Sequence, residues 1–270
     1  MKISKYMVAL LAGIFFLAGA NAQDVKLKCM EWNMKALEYR ANDNVAKDIS
    51  RFVAEIKSQQ ADIACFNEFE TATGSMFNIE KLTEFAKELG MFPFFIYSYK
   101  HSSGSGYYGN CILSKYPIVN SSSARLGKYA GADQRSVGWV DILVPTAAKP
   151  AGVKVRIVCT HLDAFGGDAT CLGQAKEVLE YAVAPAVAEN IPVLLMGDMN
   201  CGPSSSAIRE YEQTGKRLCN NDVTWDDRSK LDYFIGFPQN AWNCSDYSVL
   251  LGTYDLSDHY AISGTAVLNN

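Results

Sequence analysis

Two short stretches concentrate side chains that can do chemistry. GDMN, Gly197–Asn200, closes an apolar run from Val193 to Met196 that reads as a buried strand. SDHY, Ser257–Tyr260, opens a late run of strand character. Four further polar positions stand at strand ends: Asn33 after MEW, Glu68 after IACFN, His161 with Asp163 after VKVRIVCT, and Asp232 in KLDYF. Loops at strand ends are where α/β folds place their sites. Taken alone, Asp198 and Asn200 read as turn formers. Six such places, holding acids, amides and two of the three histidines, argue for one site.

Asn33, Glu68, Asp198 and Asp258 offer oxygen donors, which suit a hard cation such as Mg²⁺. Histidines without neighbouring thiolates suit acid–base work or phosphate contact better than a zinc cage, and no C-x-x-C pair is present. Together these point to metal-assisted attack of water on a phosphate ester. Alternate residues of an extended chain share a face, so Asp198 and Asn200 are expected to point together, as are His161 and Asp163. Asp258 and His259 are adjacent and should diverge. The acid that fixes a histidine must then come from elsewhere, from Asp232 or Asp163. Glu31 and Glu70 are expected on the face opposite the ligands, as structural or solvated groups. Arg135 either meets a phosphate or pairs at the surface. Asp163 either caps a turn or backs the site. His101 is expected in a solvated loop.

These positions need strands to carry them, and the sequence supplies strands alternating with helices. VKLKCMEW, ADIACF, FPFFIYSY, GNCILSK, RSVGWVDILV, VKVRIVCTHL, LDYFIGF and HYAISGTAVL read as strands. NVAKDISRFVAEIKS and FNIEKLTEFAKELG have helical spacing, the second stopping at Gly90. ATCLGQAKEVLEYAVAPAVAEN reads as a long helix interrupted at Pro185, and a short helix follows GPSSS. Several consecutive strands in mid-chain fit mixed sheets covered by helices better than a purely parallel sheet. No repeat or long linker divides the chain, and Pro145 to Gly152 is expected to be a hairpin loop.

The first residues stand apart. MKISKYMVALLAGIFFLAGANAQD has a basic start, a short apolar run and an A-x-A end, the pattern of a secretory signal peptide cleaved near Ala22. The apolar run is short for a membrane span. The expected organisation is therefore a signal peptide over 1–22 and one domain over 23–270, secreted or periplasmic, monomeric and without stable membrane insertion. The net charge is −4, and loss of Lys2 and Lys5 deepens it. That balance argues against tight non-specific nucleic-acid binding without excluding a nuclease. Of the eight cysteines, Cys29, Cys65, Cys111 and Cys159 read as buried thiols. Cys171, Cys201, Cys219 and Cys244 fall in loop-like sequence where an exported protein can form bridges, with no pairing assignable.

EWN, DIACFNEF, YGNCILSKYPI, THLD, GDMNCGPSS, KLDYF and SDHY, in this order, resemble the endonuclease/exonuclease/phosphatase superfamily over Val25 to Val267. That superfamily includes deoxyribonucleases, apurinic-site endonucleases, bacterial sphingomyelinases and inositol polyphosphate 5-phosphatases. The resemblance implies an α/β fold, a four-layer α/β/β/α sandwich of two mixed β-sheets flanked by helices, with one or two Mg²⁺ or Mn²⁺ ions. It implies Glu68 as the main metal ligand, helped by Asn33 and supported by Asp258. His259 is implied as general base or phosphate contact, and Asp198 as the group that orients or deprotonates the water. Asn200 would hold the nucleophile or a phosphate oxygen, His161 would contact the phosphate, and Asp232 would hold a histidine. The implied substrate is a phosphoester: nucleic acid, phospholipid head group or small phosphate ester. A sphingomyelinase or inositol-phosphate phosphatase is the alternative, and a binding module that lost activity is a third. Two departures stand out. Asn67 replaces the usual glutamine, and GSGYYGN lacks an acid that orients a histidine in deoxyribonucleases.

Overall fold

The computed structural model describes residues 25–35, 49–71, 79–100, 106–130 and 133–269. The leader and His101 lie outside the described residues. No helix among the described residues is long and apolar enough to cross a membrane.

One six-stranded sheet contains β1 (Lys26–Asn33), β2 (Ile63–Thr71), β3 (Phe92–Lys100), β4 (Tyr107–Ser114), β11 (Trp242–Leu250) and β12 (Ala261–Leu268), in the order β11-β12-β1-β2-β4-β3. The second contains β5 (Ile118–Arg125), β6 (Ser136–Val144), β7 (Val153–His161), β8 (Val193–Asp198), β9 (Lys216–Arg217) and β10 (Asp232–Phe237), in the order β5-β6-β7-β8-β10-β9. Each sheet has one parallel pair, β1 with β2 and β7 with β8, and is otherwise antiparallel. Both sheets are mixed, as expected.

Strand alternation sorts the apolar residues into three cores, which makes the molecule four layers thick. Leu27, Cys29, Cys65, Ile157, Cys159, Leu194 and Met196 pack between the sheets. Met30, Trp32, Ala64 and Leu113 face outward against α1 (Ile49–Gln59) and α2 (Ile79–Leu89). Val158, Val193, Leu195 and Ile235 face the opposite way, against α3 (Gly167–Val178), α4 (Ala184–Ala188) and α5 (Ser206–Glu212). A π-helical turn, Leu179–Val183, joins α3 to α4, and Pro185 falls in the first turn of α4. A proline there costs no intrahelical hydrogen bond, so the expected interruption becomes a new helix start.

Three strands absent from the sequence reading, β5, β9 and β11, are sheet edges. An edge strand has one unpaired side and needs little apolar surface. IVNSSSAR in β5 is mostly exposed and carries no alternation to detect. Cys171 lies in α3 and Cys244 in β11, not in loops, whereas Cys201 and Cys219 are in loops.

Candidate active site

The same alternation that builds the inter-sheet core delivers the polar residues. On β1, Glu31 and Asn33 follow Leu27 and Cys29 on the inter-sheet face. On β7, His161 follows Ile157 and Cys159. On β8, Asp198 follows Leu194 and Met196. The ladder sets three of them in one row: His161 pairs with Asp198 across β7 and β8, and Asp198 with Asp232 across β8 and β10. The seam between the sheets is apolar along most of its length and turns polar at this end.

Two backbone departures complete the row. The register of β2 against β4 shifts between Phe66 and Phe69, and Glu68 has φ +52. Phe66 and Phe69 both pack in the outer core, so the bulge leaves Glu68 to face the site. Gly197 has φ +148, and a Cβ there would lie 2.0 Å from the Thr160 carbonyl oxygen. Close approach of β7 and β8 at Thr160 therefore requires glycine.

Asp198 is the hub. Its Oδ2 accepts from Asn33 Nδ2 at 3.0 Å and lies 3.5 Å from His161 Nε2 and 3.6 Å from His259 Nε2. Its Oδ1 accepts from the Asn200 backbone N–H at 2.8 Å. Asn67 fixes it from below. Its Oδ1 accepts from the Asp198 backbone N–H at 2.7 Å, while its Nδ2 donates to Asn110 Oδ1 and to the Thr160 carbonyl. The shorter amide found in place of glutamine is thus a fully buried tie between the two sheets.

The two histidines differ. His259 Nδ1 donates to Asp232 at 3.2 and 3.0 Å. Burial works against its charge, but Asp232 and then Asp198 outweigh it and push its pKa up to about 10. His161 sits between two nitrogen donors, Arg135 at 3.1 Å from Nδ1 and the Asn200 amide at 2.8 Å from Nε2. An imidazolium would point a proton at each of them. Burial first, then Arg135 and His259, hold His161 well below the usual histidine range. Since Arg135 can only donate, Nδ1 takes the acceptor role and a neutral ring carries its proton on Nε2, which Asp198 Oδ2 at 3.5 Å can accept and the Asn200 amide nitrogen at 2.8 Å cannot. Neither Asp232 nor Asp163 orients His161: its Nδ1 partner is Arg135, which is buried and not at the surface.

Burial pushes the Asp198 carboxyl up to about 7, opposed by His259. Burial likewise raises Glu68, against a hydrogen bond from Asn33 Nδ2 at 3.3 Å. Asp258 pairs with Lys35 at 3.4 Å and lines the same cleft as His259, while the acid on the His259 ring is Asp232. Glu68, Arg135, His161, Asp198, Asn200, Asp258 and His259 line a single cleft of about 650 Å³, with Trp225, Tyr108 and Phe165 on its walls. Asn33 and Asp232 support it from behind.

Other expectations needed correction. β7 ends at His161, so alternation stops there. Asp163 does not face the histidines. Its Oδ1 accepts from the backbone of Phe165 and Gly166, which makes it the turn residue before α3. Glu31 is two residues from Asn33 and shares its face. It is neither solvated nor on the opposite side, but fully buried beneath Asp198 and Asp232. Its carboxyl has no hydrogen-bond partner among the described residues, and burial, then Asp232 and Asp198, push its pKa well above the usual carboxylate range. Lys35, Tyr108 and Trp225 carry no signal in the sequence, and only the fold brings them to the cleft.

Two six-stranded mixed sheets, face to face with helices outside, define a deoxyribonuclease I-like α/β sandwich. The chain belongs to the endonuclease/exonuclease/phosphatase family, whose sequence profile matches residues 30–259. No curated protein matches it in sequence. Among solved structures it is similar to an endonuclease/exonuclease/phosphatase from Beutenbergia cavernae DSM 12333, with 21% identity and a TM-score of 0.76 over 91% of this chain and 72% of that one. It is similar to the human Nocturnin catalytic domain with bound sulfate, with 18% identity and a TM-score of 0.70 over 91% and 96%. It is also similar to a mannosyl-6-phosphatase from Bacteroides thetaiotaomicron VPI-5482, with 15% identity and a TM-score of 0.67 over 90% and 100%.

The family generally depends on a divalent metal, and the residues fit one. Glu68 and Asp258 bring carboxylates to the cleft, engaged among the described residues by long contacts from Asn33 and Lys35 respectively. An all-oxygen set of this kind suits a hard cation. Ligand atoms of Asp198, Asp232 and His259 also lie within 4.8 Å of one another. There Asp232 and His259 already satisfy each other, which fits acid–base machinery better than an ion cage.

Proposed function

We propose that the protein is an exported, monomeric, Mg²⁺- or Mn²⁺-dependent phosphoesterase that cleaves phosphodiester bonds by attack of an activated water. The observation that carries this reading is the Asp198 hub, whose Oδ2 lies 3.5 Å from His161 Nε2 and 3.6 Å from His259 Nε2 at the polar end of the seam between the sheets.

Glu68, with Asn33 and Asp258 in support, would hold a divalent cation, which when bound would supply charge neutralisation at the phosphate and a more acidic water. The chain's own residues do the rest. Asp198, pushed up to about 7, takes the proton from the attacking water near neutral pH. His259, held by Asp232, is an imidazolium that faces the negative phosphate, so its role is contact and charge stabilisation more than base. His161 presents its Nε2 proton as a hydrogen-bond donor to a phosphate oxygen. The Asn200 amide holds the nucleophile beside it. Arg135 keeps His161 in that tautomer and adds a second positive charge to the cleft wall.

A small phosphate ester is the second reading, favoured by two observations. The cleft of about 650 Å³ has the size of a small-molecule pocket, and one similar structure is a sugar-phosphate phosphatase. The test is hydrolysis of bis-p-nitrophenyl phosphate against p-nitrophenyl phosphate, with Mg²⁺, Mn²⁺ or EDTA. Metal-dependent turnover of the diester supports the first reading. Exclusive turnover of the monoester moves the assignment to the second.

A further inference from the structure

Cys201 follows the catalytic loop residue Asn200 directly, and nothing in the proposed chemistry uses it. Its thiol is hydrogen-bonded to that of Cys171 on α3. The Cys171 Sγ also donates to the Asp163 carbonyl at 3.2 Å, two residues beyond His161. All eight cysteines are free thiols in this structure. A second thiol pair, Cys65 with Cys159, also touches, but both are fully buried between the sheets, out of reach of an oxidant. Cys171 is buried and Cys201 half-buried, so this pair opens to solvent through Cys201.

We propose that Cys171 and Cys201 form an intrachain disulfide, a modification site that ties α3 to the loop carrying Asn200. The hydrogen bond from Cys201 lowers the Cys171 thiol, against burial, and the same bond with burial raises Cys201. Cys201 is the sulfur open to solvent and so to an oxidant, and it gives up its proton to solvent as it attacks, while Cys171 keeps the proton it donates to the Asp163 carbonyl. The oxidant is another disulfide, such as glutathione disulfide or a thiol–disulfide oxidoreductase. The Cys201 thiolate attacks one of its sulfurs, breaking the S–S bond and releasing a thiolate. Cys171 gives its proton to that thiolate and attacks Sγ of Cys201 in the mixed disulfide, which expels the second thiolate. Two thiols are oxidised, and the oxidant's disulfide is reduced by the two electrons to two thiols. The site does not depend on the proposed reaction. The bridge would hold the loop where Asn200 has φ +48, and where Asp163 closes the turn before α3.

The test is peptide mapping of the purified protein after treatment with glutathione disulfide, with free thiols alkylated in denaturant before digestion without reductant. The expected result is a cross-linked peptide pair holding Cys171 and Cys201 that dithiothreitol abolishes, with Cys65 and Cys159 recovered alkylated. Reduction should lower Tm by about 5–10 °C, as for a bridge closing a loop of this length in a chain of this size. The double variant Cys171→Ser/Cys201→Ser should show no such shift. Recovery of both residues alkylated, or of either bridged to a different cysteine, overturns the proposal. If the double variant does not fold, the map of the unmodified sequence decides alone.

Discussion

Asp232 grips Nδ1 of His259 with both carboxylate oxygens, at 3.0 and 3.2 Å, while Nε2 of the same ring faces Asp198 Oδ2 at 3.6 Å. One acid sets the ring's orientation and charge, and the other meets the substrate side. Asp232→Asn keeps the shape and removes the charge that sustains the imidazolium. We expect kcat to fall by about 10²-fold, the scale of losing an acid–base group, with the far-ultraviolet spectrum unchanged. A variant within threefold of the parent would show that the dyad is structural.

Arg135 is expected to matter through His161. Arg135→Lys retains the charge but not the planar donor geometry. KM should rise by about 10-fold or more as the His161 tautomer and one phosphate contact are lost, consistent with about 1.5–3 kcal/mol for a charged hydrogen bond. Steady-state kinetics on bis-p-nitrophenyl phosphate provide the check. An unchanged KM would place Arg135 outside the substrate path.

Gly197→Ala should destabilise the fold. The new methyl group meets the Thr160 carbonyl at 2.0 Å, in a backbone conformation with φ +148. A cost of about 2–4 kcal/mol is expected from strain and overpacking, read from urea unfolding at constant m-value. A loss below about 0.5 kcal/mol, the range of neutral surface changes, would mean that β7 and β8 separate easily there.

Stability should also depend on a pair far from the cleft. Arg156 Nε and a terminal nitrogen donate to Asp141 at 2.7 and 3.0 Å, both residues buried. Burial opposes the Asp141 charge, but Arg156 and then Asn120 hold its carboxyl below the usual carboxylate range. A depressed carboxylate stabilises the fold above its unfolded pKa, and that contribution disappears as pH falls through the lower folded value. Asp141→Asn should cost about 3–5 kcal/mol at pH 7, because Arg156 is left buried and unpaired. The difference from the parent should shrink below pH 3.8, read from denaturant midpoints. A gap that stays constant to pH 2 contradicts the pairing.

The site was legible in the sequence wherever a strand delivered it. Asp198, His161 and Asp232 each end or begin an apolar run, and strand parity was enough to place them. Glu31 was misplaced because a position two residues from Asn33 was treated as its neighbour. Parity puts it on the same face, where it is buried. Glu68 needed a bulge and a positive φ, which no local pattern announces, and Asp163 lies two residues past the end of β7, where alternation no longer applies. The polar edge strands β5 and β11 escaped notice because only a buried strand must alternate. Arg135 and Trp225 meet the cleft through long-range packing that a linear reading does not contain.

The central claim is that Asp198 sits at the hub of a metal-dependent hydrolytic site. The most direct test is bis-p-nitrophenyl phosphate turnover by the parent and Asp198→Ala, each titrated with Mg²⁺ and then with EDTA. We predict metal-dependent activity in the parent, abolished by EDTA, and a loss of at least about 10²-fold in the variant at every Mg²⁺ concentration. Activity that survives EDTA, or a variant as fast as the parent, would contradict it.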